Sequence, residues 1–389
     1  MHAPTKRPFS IVGGRTLTPF GLESDVTLTV ANGEILALGD RPEPVTWNAG
    51  GLLVLPGIVD IHGDAFERQL MPRPGVHFDA RLALFDTDRQ LVANGITTAF
   101  HALTYSWEPG LRGIEAGRAF MAALEASRGE LSCDTRLHLR WETFNLDTEA
   151  EVAEWLLKGQ VGLLAFNDHT PAMAERLGQP QAMQRYAERT GLTAIEFEKL
   201  LGHVVSRGPG VQPAIERLAE IARARHVPMA SHDDDTPDIR RWYGSLGCAI
   251  AEFPKNEPTA RVAQDAGCDI IMGAPNVVRG GSHISLVSAS DMVAKNLCTI
   301  LSSDYYYPAL LHAALRLVRD RICPLPVAWR LISENPARAA RLHDRGTLAA
   351  GRRADIVIVD DRRGMPRVVA TFVAGRPVFF ESEAPRLVA

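Results

Sequence analysis

The sequence predicts a (β/α)8 barrel of the TIM type carrying a small β-sandwich built from both ends of the chain. Three observations predict it. Eight short apolar runs alternate with longer helical patterns through the middle, the signature of βαβ units and parallel strands. Histidine and carboxylate residues recur at the carboxyl ends of those runs, where the βα loops of a barrel converge. The two termini share another texture, of short strands joined by turns.

The sandwich strands come first and last. Ser10–Val12, Val26–Ala31 and Ile35–Leu38 are extended, with Asn32-Gly33 as a hairpin turn. Asp355–Asp360, Val368–Val373 and Val378–Phe380 close the chain, with Gly375-Arg376 as the last turn. Residues 1–55 and 345–389 are therefore expected to form one composite β domain around a barrel of residues 56–344. The eight barrel strands are Ile58–Ile61, Thr97–Leu103, Leu137–Trp141, Gly162–Phe166, Pro228–Ser231, Cys248–Phe253, Asp269–Met272 and Cys298–Ser302. Helices are expected over Ile114–Ala126, Ala150–Lys158, Gln212–Arg225, Ala309–Arg321 and Pro326–Glu334. The stretch from Thr170 to Gly210 reads as an inserted helical cap over the barrel mouth.

Bulk composition narrows the function classes. A length of 389 residues suits one large barrel with an accessory domain. A net charge of −4 leaves no electrostatic footprint for nucleic acid, and no basic run suggests an anionic membrane. Five dispersed cysteines form no C-x-x-C pair, which argues against a disulfide framework or a thiolate zinc site and fits a reducing compartment. No stretch approaches the ~20 apolar residues of a membrane span, so a cytoplasmic location is expected. No nucleic-acid or membrane partner is expected, and the chain is expected to be a homo-oligomer.

Chemistry concentrates at the strand ends. With a side-chain period of two, Asp60, His62 and Asp64 share one face while Val59 and Ile61 take the other. Three inward polar groups need partners, and a metal ion satisfies imidazole and carboxylate together. On the third strand His138, Arg140 and Glu142 share a face, either as a structural ion-pair network or with Glu142 as a metal ligand or bridge. Asp168-His169, Ser231-His232-Asp233-Asp234-Asp235 and Ser303-Asp304-Tyr305 follow three further strands. None of the five lysines ends a barrel strand, which disfavours a carbamylated-lysine bridge. The segment Arg279-Gly280-Gly281-Ser282-His283 reads either as a tight Gly-Gly turn with a surface arginine or as an oxyanion cradle. Arg73, between two prolines, is a second candidate phosphate clamp.

Specific segments carry a family resemblance. From Leu55-Pro56-Gly57-Ile58-Val59-Asp60-Ile61-His62 to Asn335-Pro336-Ala337 and Gly351-Arg352-Arg353-Ala354-Asp355, the chain resembles the amidohydrolase superfamily. Within it the chain is similar to the PhnM family of the carbon–phosphorus lyase pathway. The matching segments include Pro72-Arg73-Pro74-Gly75-Val76, Leu137-His138-Leu139-Arg140, Ser231-His232-Asp233-Asp234, Ala251-Glu252-Phe253-Pro254, Met272 to His283 and Leu301-Ser302-Ser303-Asp304-Tyr305. The resemblance implies hydrolysis of a ribose 1-alkylphosphonate 5-triphosphate with release of diphosphate. It implies His62, Asp64, Glu142, His169, His232 and Asp304 as residues of a site for one or two divalent ions (Zn, Mn or Fe). Asp304 and His232 are then the catalytic candidates. Arg73, Arg140, Asn276, Arg279, Gly280, Gly281, Ser282 and His283 are the substrate-binding candidates. The chain departs from the family pattern at Gly63, Ala65, His101, residues 172–176 and residues 284–286. A C–N hydrolase of the same superfamily, such as a deaminase or cyclic amidase, is the alternative activity; a metal-free scaffold is the non-enzymatic one.

Overall fold

A computed structural model describes residues 7–39, 41–281, 287–362 and 364–381, and the backbone of 386–388. Two of the candidate binding residues, Ser282 and His283, lie outside the described residues.

Eight strands form a wholly parallel sheet in chain order: β1 (Ile58–Gly63), β2 (Ile96–Tyr105), β3 (Asp134–Glu142), β4 (Leu163–Asn167), β5 (Met229–His232), β6 (Ile250–Glu252), β7 (Asp269–Gly273) and β8 (Ile300–Ser302). The sheet curls back on itself where Gly63 bridges Asp304 in parallel. There the Asp304 amide donates to His62 O at 3.0 Å and the Asp64 amide donates to Asp304 O at 2.9 Å. Strand alternation explains the packing. Leu137, Leu139 and Trp141 of β3 face outward onto the helices over Ile114–Ser127, Glu149–Leu157 and Val211–Ala224, which bury Phe120, Leu124, Trp155 and Leu218 against them.

The barrel interior is an apolar floor beneath a polar mouth. Val59, Ile61, Phe100, Leu163, Ala165, Ala230, Ile250, Ile271 and Ile300 form the floor. This corrects the expected facing of β1, which set Val59 and Ile61 opposite His62. The β1–β2 register shifts between Asp60 and Gly63, and that irregularity lets both Ile61 and His62 reach the interior. Gly63 is what the crossing demands, since a Cβ there would stand 2.7 Å from Asp60 Oδ2 and 2.9 Å from Ser303 Oγ.

Both ends of the chain build two more sheets. A five-stranded sheet holds Phe9–Val12, Thr27–Ala31, Glu34–Gly39, Thr46–Asn48 and Arg386–Val388. A six-stranded sheet combines Arg15–Thr18, Gly21–Ser24 and Leu53–Pro56 with Ile356–Asp360, Arg367–Val373 and Arg376–Phe380. Ile11, Leu28, Val30, Ile35, Val54, Ile356, Ile358 and Phe372 bury a shared core. Asn32 and Gly33, at φ 53° and 85°, make the expected hairpin turn. The last turn falls one residue earlier than expected, at Ala374-Gly375 (φ 48° and 70°), so Arg376 pairs with Val373.

The helix expected over Pro326–Glu334 is two helices, Leu325–Arg330 and Glu334–Ala339. The break at Ser333 frees Ile332 O to accept from Val59 N at 2.9 Å, and Asn335 donates to Thr299 O at 2.7 Å. Barrel closure outweighs helical continuity there. The insertion is helical, with helices over Thr170–Glu175, Pro180–Thr190 and Ala194–Ser206. Its own small core holds Met173, Tyr186, Phe197 and Leu201, with Trp107 of the β2 loop packed against it. Thr193 and Glu196 form a reciprocal capping box at the start of the third helix.

Candidate metal-dependent active site

Six strands deliver histidines and carboxylates to one mouth. Their ligand atoms fall into three groups, each within 4.8 Å: His62 with Asp64 and Asp304, His62 again with His138 and Glu252, and separately His169 with His232 and Asp233. The imidazoles of His62 and His232 stack at 5.5 Å with 12° between their planes, and His169 meets His232 edge-on at 5.4 Å. His62 Nδ1 lies 3.0 Å from Glu252 Oε1, and His232 Nδ1 lies 3.1 Å from Glu252 Oε2. His169 Nδ1 lies 2.5 Å from Glu142 Oε1. Arg140 reaches up from β3 between two of these groups, 3.2 Å from Asp64 Oδ2 and 3.1 Å from His232 Nε2.

The backbone here is bent to suit the side chains. Asp233, Phe253 and Asp304 end β5, β6 and β8 in the left-handed region, at φ 60°, 52° and 56°. Residues with a Cβ enter that region at a cost of about 1 kcal/mol or more each, and such strain gathers at functional sites. Asp60 anchors one of the bends. It accepts from the Ser303 amide at 3.1 Å and from Ser303 Oγ at 2.5 Å, directly before Asp304.

The electrostatics call for a cation. Asp64, Glu142, Asp233, Glu252 and Asp304 gather around the Arg140 guanidinium, and Glu142 and Glu252 are fully buried. Burial, reinforced by the charge of Asp64, pushes the Asp304 carboxyl up to about 7. Burial, then the Arg140 charge, drives the His62 imidazole down to about 3, and the same two causes take His232 well below its ordinary value. These imidazoles are neutral and offer lone pairs. His169 differs: burial lowers it, but Glu142 outweighs burial and raises it, while His169 holds the Glu142 carboxyl below its usual range. Buried carboxylate charge without a counter-ion is costly, and neutral imidazoles with carboxylates match a borderline divalent ion. The donor set fits a metal. Arg140 occupies part of the same space, so an ion taking the His232 Nε2 lone pair displaces its guanidinium.

Beside the donors lies a cavity of about 180 Å³, lined by His62, Arg140, His232, Asp233 and Asp304. Phe253, Pro254, Met272, Pro275 and Tyr305 also line it. Of the substrate-binding candidates with described side chains, Arg140 and Asn276 line it. The Asn276 amide is held by backbone, donating to Val287 O at 3.2 Å and accepting from Ala289 N at 3.0 Å. Arg73 and Arg279 are exposed and lie outside this wall. Gly280 and Gly281 follow the short helix Ala274–Arg279, with Gly280 at φ 83° as its left-handed cap. Glu142 stands beside His169 and outside the three donor groups.

Sequence reasoning missed three participants. Glu252 ends β6 inside the Ala251-Glu252-Phe253-Pro254 segment, and its place at a strand end was the available signal. Asp233 directly follows His232 in an acidic run whose members periodicity cannot rank. His138, buried with Nδ1 3.0 Å from Ile61 O, lay on the inward face of β3 but carried no assigned role.

Comparisons with known proteins agree with this architecture. An amidohydrolase family model matches residues 283–379. The chain is 33% identical over 369 residues to the alpha-D-ribose 1-methylphosphonate 5-triphosphate diphosphatase of Escherichia coli strain K12, covering 92% of this chain and 98% of that protein. It is 25% identical to an adenine deaminase of Methylobacterium sp. strain 4-46, covering 87% of this chain and 52% of that one. In structure it resembles the N-acetylglucosamine-6-phosphate deacetylase of Pasteurella multocida, with a TM-score of 0.65 at 11% identity over 96% of this chain and 100% of that one. That likeness shows the shared fold. Identity of this extent over nearly the full length places the chain in the PhnM family of the amidohydrolase superfamily.

Proposed function

We propose that this protein is a metal-dependent hydrolase that releases diphosphate from a ribose 1-alkylphosphonate 5-triphosphate in phosphonate catabolism. The observation that carries the proposal is the gathering of His62, Asp64, His169, His232 and Asp304 at one barrel mouth, with Glu142 against His169, in a chain 33% identical to a diphosphatase of that substrate class; these six residues are proposed as the ligands. One or two divalent ions, Zn, Mn or Fe, would be held there, with Asp233 as a further donor. Such an ion supplies Lewis acidity and brings the pKa of a water toward neutrality.

The rest is the work of this chain's residues. Asp304, beside the donors at the end of β8, would accept a proton from the attacking water and return it to the leaving group. His232 faces the same cavity, and it would act there by holding the ion through Nε2 rather than by touching the water itself. Arg140, released from Asp64 and His232, offers a two-pronged grip on phosphate oxygens. Arg73, Arg279, Ser282 and His283 are proposed to complete that grip when the substrate spans the mouth; the expected Gly280 and Gly281 amide donors are instead taken by the preceding helix, bonding Val277 O at 3.2 Å and Asn276 O at 3.0 Å. Phe253, Met272 and Pro275 supply apolar lining that would limit water around the reacting bond.

The test is a pair of assays on the metal-supplemented protein. Diphosphate release is measured from ribose 1-methylphosphonate 5-triphosphate, and ammonia release from adenine. Diphosphate is expected. Ammonia without diphosphate would instead establish the C–N hydrolase reading, which the match to adenine deaminases favours.

A further inference from the structure

The geometry points to Glu252 as a positioning residue that sets the tautomers of His62 and His232 together, so that both present Nε2 to the ion. The inference rests on the metal reading above.

Glu252 ends β6, and in the sheet register it lies directly opposite His232 of β5. It is fully buried, and its two oxygens are divided between two rings: Oε1 to His62 Nδ1 at 3.0 Å, Oε2 to His232 Nδ1 at 3.1 Å. A carboxylate only accepts, whereas a neutral imidazole has one donor nitrogen and one acceptor nitrogen. Each Nδ1 must therefore carry the hydrogen, leaving each Nε2 with its lone pair. One side chain thus fixes two ligands contributed by strands far apart in sequence. Phe253 completes the clamp, its ring meeting His62 edge-on at 4.9 Å and His232 at 5.4 Å, so neither imidazole can turn over easily. The neighbouring His138 is held separately, by Ile61 O, and its Nε2 stands 3.7 Å from Glu252 Oε1, beyond hydrogen-bond reach.

The decisive variant is Glu252→Gln, which keeps shape and volume but replaces one acceptor oxygen by an NH2 donor. One of the two rings then faces a donor and must turn its hydrogen to Nε2. Long-range proton–nitrogen spectra of histidine-labelled, metal-free protein read this directly, with resonances assigned from His62→Gln and His232→Gln. We expect Nδ1–H for both rings in the wild type, and Nε2–H for one of them in Glu252→Gln. Chelator competition with Mn²⁺ should show affinity falling about 10- to 100-fold. Glu252→Asp, which keeps two acceptor oxygens, should retain both tautomers and recover part of the affinity. A thermal melt within a few degrees of wild type certifies that each variant is folded.

An Nε2–H tautomer at either ring in the wild type would overturn the assignment. So would unchanged tautomers and Mn²⁺ affinity in Glu252→Gln. If the wild type shows both tautomers as expected but binds no divalent ion, the metal-dependent function fails while the role of Glu252 stands.

Discussion

Asp304 and Arg140 are the residues on which the chemistry turns. Asp304 is expected to carry the proton, so Asp304→Asn should lower kcat by roughly 10²- to 10⁴-fold, the span of general acid–base catalysis. Metal content, measured by plasma mass spectrometry, should stay near that of wild type, because six other proposed donors, Asp233 among them, remain. Full activity in the variant would remove Asp304 from the mechanism. Arg140 has two opposed effects. Its guanidinium competes with the ion for Asp64 and His232, yet it is the buried cation best placed for substrate phosphates. Arg140→Gln should therefore bind Mn²⁺ several-fold more tightly while KM for the triphosphate rises. Equal or weaker Mn²⁺ binding would show that the guanidinium does not occupy the ion's place.

Among the elements, the helical insertion and β1 teach different lessons. The insertion packs on its own small core and is tied to the β2 loop by Trp107 Nε1 donating to Thr170 Oγ1 at 2.9 Å and by an Arg189–Glu108 ion pair. Such a unit should open independently of the barrel. Phe197 is fully buried there, and Phe197→Ala should cost roughly 3–5 kcal/mol of local stability. Hydrogen exchange should rise across residues 180–206 while protection of β3 and β4 is unchanged; a rise in the barrel strands as well would show that the two unfold together. β1 marks where reading the sequence by period fails. Alternation located the strand correctly, but the register shift at Asp60 turned Ile61 inward beside His62 and left Asp60 bound to Ser303. A shift of register depends on the neighbouring strand, and local pattern carries no record of it. The same limit applied to β6: Glu252 was visible as a strand-end carboxylate, but its hold on His62 and His232 spans 190 and 20 residues of sequence.

Over the whole molecule, barrel and β domain meet at a charged hub opposite the active site. Asp134, at the start of β3, takes Arg345 at 2.6 Å, Arg136 at 3.2 Å and Arg353 at 3.5 Å. Burial raises the Asp134 carboxyl, but Arg136 and Arg345 outweigh it and hold it below its ordinary 3.8. A depressed carboxylate stabilises the fold above its unfolded pKa and loses that contribution as pH falls through the folded value. Asp134→Asn should therefore be less stable by roughly 3 kcal/mol at pH 7. The gap should begin to close below about pH 4, followed by thermal melts across pH; a gap constant down to pH 2 would deny the hub its role. The sequence foretold this architecture well, because alternating apolar runs and terminal hairpins are local signals. The convergence of distant strand ends was legible only through their shared position after each strand.

That convergence is the central claim, and anomalous diffraction from Mn²⁺-loaded crystals tests it most directly. The account predicts a peak within ligand distance of His62 Nε2 and His232 Nε2, with Arg140 displaced from His232. Crystals whose only peaks lie away from those imidazoles, with the Arg140 guanidinium still seated between Asp64 and His232, would contradict it.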